Sequence, residues 1–209
     1  NVINKNHIKK WLIEKKLETK SFKKKYITYF TSSNDEYQFA FDDPINQKLI
    51  INQLLNLQKK GYPIKIRVHP NTINKSIFEK QYWFNIKKKN PNVIINFNED
   101  VSAYDLIQKS LFTLSIGSSV AAESIVFGVP HILIGTQNWY HKLNICHNTE
   151  VENYIFSIEE KFKNIHLFDL ITNKKKELAV SSLLFNKDIG YKIWTHPIGT
   201  YPTKGTFRN

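Results

Sequence analysis

Three short polar clusters, each at the end of a β-branched or aromatic run, hold the residues best equipped for chemistry: Thr31-Ser32-Ser33, His69-Pro70-Asn71 and Gly117-Ser118-Ser119. The third is the most informative. Gly117 permits a tight turn and close approach of backbone to a ligand, and Ser118 or Ser119 can cap the helix that follows. The free N–H groups of that helix's first turn suit an anion such as a phosphate, although the same serines serve equally as plain caps. Glu123 lies four residues after Ser119 and five after Ser118, whereas a capping-box glutamate follows its cap by three, so it calls for another role. It shares a helix face with Ser119, and Ala121 and Ala122 let that helix pack closely. Its carboxylate can accept hydrogen bonds from ribose hydroxyls or simply face solvent.

His69 leaves the run Ile64 to Val68, and Pro70 holds it in an extended exit. An imidazole there can donate to a phosphate, act as general acid towards a departing one, or bond a backbone carbonyl at a strand end. Other constellations carry less. His141, Cys146 and His147 lack the second pair that a zinc spacing needs, so no metal is assigned. Cys146 has no orienting context as a nucleophile. Gly117 alone makes neither a dinucleotide fingerprint nor a P-loop, which disfavours NAD and ATP hydrolysis and leaves no cofactor. Trp139 and Tyr140, after Gly135-Thr136-Gln137, can stack on a base or sugar or pack in the core. The second histidine-proline pair, His196-Pro197, reads as structural.

These clusters need elements to position them. Ile3 to Leu17 reads as an amphipathic lead-in helix. Tyr26 to Phe30 reads as a strand, the polar stretch Thr31 to Glu36 as a loop, and the segment opened by Pro44 as a helix closed by Lys59-Lys60-Gly61. The unit repeats: strand 64–68 with helix 76–89, strand 93–97 with helix 102–110, strand 112–116 with helix 118–127, then strand 131–134. Strands and helices alternating at this spacing predict an α/β fold, a Rossmann-like parallel sheet with right-handed crossovers, covered on both faces. Helices are expected over 151–163 and 174–185. The expected organisation is a lead-in helix and basic linker over 1–25, one domain over 26–194, and an irregular tail over 195–209 rich in Pro, Gly and Thr.

Composition narrows the function classes. At 209 residues, 41% hydrophobic and 23% charged, the chain is too apolar for disorder and has room for a sizeable core. Lacking a signal-peptide pattern and carrying Cys146 as its single cysteine, it is expected in a reducing cytoplasm. It starts at Asn1 and holds no methionine, and reads as a piece of a longer protein. The net charge of +12 invites a nucleic-acid partner, yet of 30 basic residues only Arg67 and Arg208 are arginine. The lysine runs at 23–25, 87–89 and 174–176 are scattered. They read as solvated faces with a weak attraction to anionic lipids on the inner face of the membrane, and no nucleic acid is expected.

Taken together, Ile66-Arg67-Val68-His69-Pro70-Asn71 and the run from Ile116 to Pro130, with its Ser118-Ser119, Glu123 and Gly128-Val129-Pro130, resemble the nucleotide-binding half of GT-B glycosyltransferases. The likeness is nearest to bacterial capsule polysaccharide biosynthesis proteins, alongside bacterial sialyltransferases and Kdo transferases. It spans about Tyr26 to Tyr140, including the loop Ser32-Ser33-Asn34-Asp35-Glu36. The resemblance implies that His69-Pro70 and Ser118-Ser119 hold the CMP portion of a CMP-sugar donor. Donor phosphates would lie on Ser118 and Ser119, with His69 supporting the leaving phosphate and Glu123 holding the ribose or base edge. It also implies a glycan or glycolipid acceptor and an N-terminal acceptor domain that supplies the catalytic base, so that this chain alone binds donor without turnover. Competing expectations are a glycerophosphotransferase of wall teichoic acid synthesis, a UDP-sugar epimerase, and, ranked last, a lysine-rich nucleic-acid binder.

Overall fold

A strand buried on both faces must be apolar at nearly every position, and Tyr26–Phe30, with four of five residues buried, meets that demand. In the computed structural model this strand, β1, lies at the centre of a six-stranded sheet. The structure describes residues 6–19, 21–32, 47–70, 72, 77–95, 101–135, 145–150, 152–164 and 171–188. The other strands are β2 (Ile64–Val68), β3 (Val93–Ile95), β4 (Ser110–Ser115), β5 (His131–Ile134) and β6 (His147–Thr149). Seven helices accompany them among the described residues: α1 (Asn6–Glu14), α2 (Gln47–Lys59), α3 (Ile77–Lys89), α4 (Ala103–Lys109), α5 (Val120–Val126), α6 (Tyr154–Lys163) and α7 (Asn173–Asp188).

Every pairing is parallel, and the order is β3-β2-β1-β4-β5-β6. The α/β, Rossmann-like reading is therefore correct, and the order adds what periodicity could not. From β1 the chain steps outward to β2 and β3, then returns to place β4 on β1's other side. Tyr29 accordingly pairs with Ile66 on one flank and Leu114 on the other. Neighbouring connections leave β1 and β4 towards opposite faces, which opens a crevice at their carboxyl ends.

The two faces are packed by different helices. Ile27, Tyr29, Ile66, Phe112 and Leu114 point towards α2, α3 and α6, meeting Leu54, Trp83 and Tyr154. On the other face Phe30 and Ile94 meet Leu106 and Ile107 of α4. Leu133 meets Ala121, Ala122 and Ile125 of α5, Val180 of α7 and Trp11 of α1. Trp11 is only 3% exposed, so the lead-in helix is anchored in this core. Its ring meets Tyr104 and Phe127 edge-on at 6.2 and 6.1 Å.

Several boundaries differ from expectation. Strand β4 starts at Ser110 and not at residue 112, because α4 runs into it without a loop. The Ser110 hydroxyl donates to Leu106 O at 2.6 Å and shares a hydrogen bond of 2.7 Å with Thr28 Oγ1, satisfying a polar residue inside the sheet. Helix α5 starts at Val120, two residues later than expected. Strand β6 was not anticipated: His147-Asn148-Thr149 has no apolar alternation, and it is fixed by its ladder to Ile132, Leu133 and Ile134. Pro44, residues 96 and 97 and the tail 195–209 lie outside the described residues.

Candidate functional site

The crevice between β1 and β4 is built from the first residues beyond three strands. Beyond β1, Thr31 N–H continues the ladder to Arg67 O at 3.0 Å, and the Ser32 hydroxyl donates to Ile116 O, beyond β4, at 2.9 Å. Beyond β2, His69 N–H donates to Thr31 Oγ1 at 2.8 Å. Two hydrogen bonds through adjacent residues therefore tie all three polar clusters into one rim.

That rim is held from below by a residue the sequence reading missed. Gln47, the first residue of α2, is buried and forms a peptide-like clamp on Ser32: its Oε1 accepts from Ser32 N–H at 2.9 Å and its Nε2 donates to Ser32 O at 3.0 Å. The Tyr29 hydroxyl also donates to Oε1, at 3.3 Å. A signal was present in the sequence, since Gln47 occupies the helical stripe with Ile50, Ile51 and Leu54, a polar residue at a core position.

At the β4 exit Gly117 has φ +65°, a left-handed conformation that a side chain disfavours, so glycine is required for this turn. Ser118 is half-buried, and its Oγ accepts a long hydrogen bond from Val120 N–H at 3.4 Å. Ser119 is exposed, already has helical φ and ψ of −55° and −22°, and makes no side-chain capping bond. Its hydroxyl is not used to cap the helix.

Beside the rim, on the α4 and α5 face, lies a group of coupled charges. Arg67 is the penultimate residue of β2, Tyr104 the second residue of α4, and Glu123 lies one turn into α5. Burial pushes the Glu123 carboxyl up to about 7, against the opposing pull of Lys15 and Arg67. Burial lowers Arg67 from its ordinary value while Glu123 and Tyr104 act to raise it. Burial, reinforced by Glu123, pushes the Tyr104 phenol up to about 12. The Arg67 Nε is buried without a hydrogen-bond partner, and its guanidinium lies 5.9 Å from the centre of the Phe30 ring. A carboxylate near its midpoint at neutral pH, next to an arginine with an unmet donor, suits recognition of a ligand that brings both hydroxyls and negative charge.

The expected residues thus divide. Thr31, Ser32, His69 and the Ile116–Ser118 turn are joined; Arg67 and Glu123 form the neighbouring charged group; Pro70 is exposed at the rim. Ser32 is buried and its hydroxyl is committed to Ile116, which makes it the tie between strands. Ser33, Asn71, Trp139, Tyr140 and His141 lie outside the described residues. Cys146 is buried, and its thiol is pushed up to about 12 by that burial, which keeps it protonated. Among the described residues no three His, Cys, Asp or Glu side chains are grouped to hold a metal ion, and no helix is long and apolar enough to cross a membrane.

Beneath the rim, His131 of β5 is fully buried. Its Nδ1 lies 2.8 Å from Thr113 Oγ1 and its Nε2 lies 3.0 Å from Ser115 Oγ, while Thr113 Oγ1 donates to Ser124 Oγ at 2.8 Å. With the Thr113 proton given to Ser124, Nδ1–H donates to Thr113 and Nε2 accepts from Ser115. Burial, with His147 adding to it, lowers this imidazole to about 3, so it is neutral and braces the last residue of β4 just before the Gly117 turn.

No protein-family model matches the chain, and no curated protein matches its sequence.

Proposed function

We propose that the β1–β4 crevice binds a nucleotide-sugar donor, CMP-linked, and that the chain is the donor half of a GT-B glycosyltransferase acting in bacterial capsule or surface polysaccharide biosynthesis in the cytoplasm. The observation that carries this reading is the joining of three polar strand exits by Ser32 and Thr31 at the point where strand order reverses, the position where open α/β sheets receive ligands. In this reading the donor phosphate rests on the Gly117-Ser118-Ser119 turn, and Glu123 accepts from the ribose hydroxyls or base edge with Arg67 balancing its charge. His69 hands a proton to the departing nucleotide phosphate as the sugar's bond to the acceptor forms. The acceptor is a glycan or glycolipid. Its activating base belongs to an N-terminal acceptor domain.

Isothermal titration with CMP, CDP, UMP, UDP and GDP tests the proposal. Selective cytidine-nucleotide binding is expected, with Ser119→Ala and His69→Ala each weakening it by about 1–3 kcal/mol as a hydrogen bond to charge is lost. Unchanged affinity in both variants overturns the residue roles. Selective UDP binding points to an epimerase or UDP-sugar transferase. Oligonucleotide binding that falls steeply with salt and ignores Ser119→Ala marks a nucleic-acid protein.

A further inference from the structure

Large apolar side chains exposed singly need no explanation, and Ile13 on α1 and Phe156 on α6 are of that kind. Helix α3 differs. Ile77 is 68% exposed, Phe78 80% and Phe84 41%, all within its first eight residues, while Trp83 alone is fully buried against the sheet. Ile77, Lys80, Phe84 and Lys88 recur at helical spacing and share the solvent side, with Phe78 one position round. The helix carries Lys80 and Lys87-Lys88-Lys89 against one carboxylate, Glu79. Beside it, between α2 and α3, lies a groove of about 230 Å³. Lys48 extends over the Tyr82 ring there, 5.4 Å from its centre, and the Tyr82 hydroxyl is buried without a hydrogen-bond partner.

We infer that the outward face of α3 docks on an anionic lipid surface. Phe78, Phe84 and Ile77 enter the boundary between headgroups and acyl chains, and the exposed Lys80, Lys88 and Lys89 meet the negative surface. Charge complementarity selects this occupant. A second copy of the chain meeting this face about a two-fold axis would set two lysine-rich faces against each other, with only Glu79 on each helix to offset them. The long lysine stems let apolar residues descend while their ammonium groups stay at headgroup level. The N-terminal end of α3, where Ile77 and Phe78 lie, is at the carboxyl edge of the sheet, so docking sets the crevice close to the lipid surface. The inference stands apart from the nucleotide reading.

Co-sedimentation of the full chain with phosphatidylglycerol-containing vesicles and with pure phosphatidylcholine vesicles tests it. Partition onto the anionic vesicles is expected to exceed that onto the neutral ones by at least about tenfold and to weaken at about 1 M salt. Phe78→Ser/Phe84→Ser and, separately, Lys80→Glu/Lys88→Glu are each expected to lower it about tenfold or more, with circular dichroism unchanged, since all four positions are exposed. Equal partition of the wild type onto both vesicles, its absence from both, or variants that bind as well as wild type overturns the inference. So does a dimer in sedimentation velocity, or single-stranded oligonucleotide binding, that Phe78→Ser/Phe84→Ser abolishes while vesicle binding persists. Nucleotide titration of the same variants separates this outcome from failure of the donor site.

Discussion

The two faces of the sheet are built on opposite plans. Under α2, α3 and α6 the strands present an almost wholly apolar surface, whereas under α1, α4, α5 and α7 they present Thr28, Arg67, Thr113, Ser115 and His131. Both faces are close-packed, but the second spends its polar residues on internal hydrogen bonds and on the coupled charges of Arg67, Glu123 and Tyr104. The apolar face supplies stability by burial. The polar face fixes where backbone and charge stand beside the crevice, which a uniformly apolar surface cannot do.

The sharpest way to break this contrast is Trp83→Ala. On the apolar face the loss is a cavity, and urea denaturation is expected to show a cost of about 4 kcal/mol. On the polar face Thr113→Val removes no volume but strands His131 Nδ1–H and Ser124, for an expected cost of about 2 kcal/mol by the same measurement. Adding His131→Leu to Thr113→Val is expected to cost less than the sum of the two single changes, because both ends of the bond are then apolar. Additive costs would show the network to be independent contacts.

A smaller effect separates the two titratable groups of that face. Glu123 has its folded pKa raised from 4.5 to about 7, so it contributes stability fully present below 4.5 and lost as pH rises through 7. His131 has its folded pKa lowered from 6.5 to about 3, so its contribution is present above 6.5 and lost as pH falls towards 3. The slopes oppose one another between 4.5 and 6.5. Glu123→Gln is expected to leave stability rising with pH across that interval, by on the order of 1 kcal/mol in denaturant titrations at several pH values. An unchanged profile would mean that Glu123 titrates like a surface carboxylate.

The fold was legible where periodicity carries it. Apolar runs ended by Gly61, by Asn90-Pro91 and by Gly128 marked strands and helices because chain punctuation is local chemistry. Strand β6 was illegible because its three polar residues acquire their form only from β5. The order of strands was illegible because it depends on which crossover returns to β1. The rim residues could be named in advance since they follow strands. Their partners could not: Gln47 meets Ser32, and Lys15 acts on Glu123, across sequence distances that no local pattern encodes.

The tie between Ser32 and Ile116 spans 84 positions of the chain, and β1 reaches its full pairing only when β4 arrives. During synthesis at about 5–20 residues per second, the central strand therefore waits on the order of ten seconds with one row of backbone donors and acceptors unmet. Its earlier neighbour β2, and β3 beyond it, have already emerged by then. A ribosome that pauses within α4 would lengthen the exposure of that apolar edge, and the crevice comes into being only when the edge is closed.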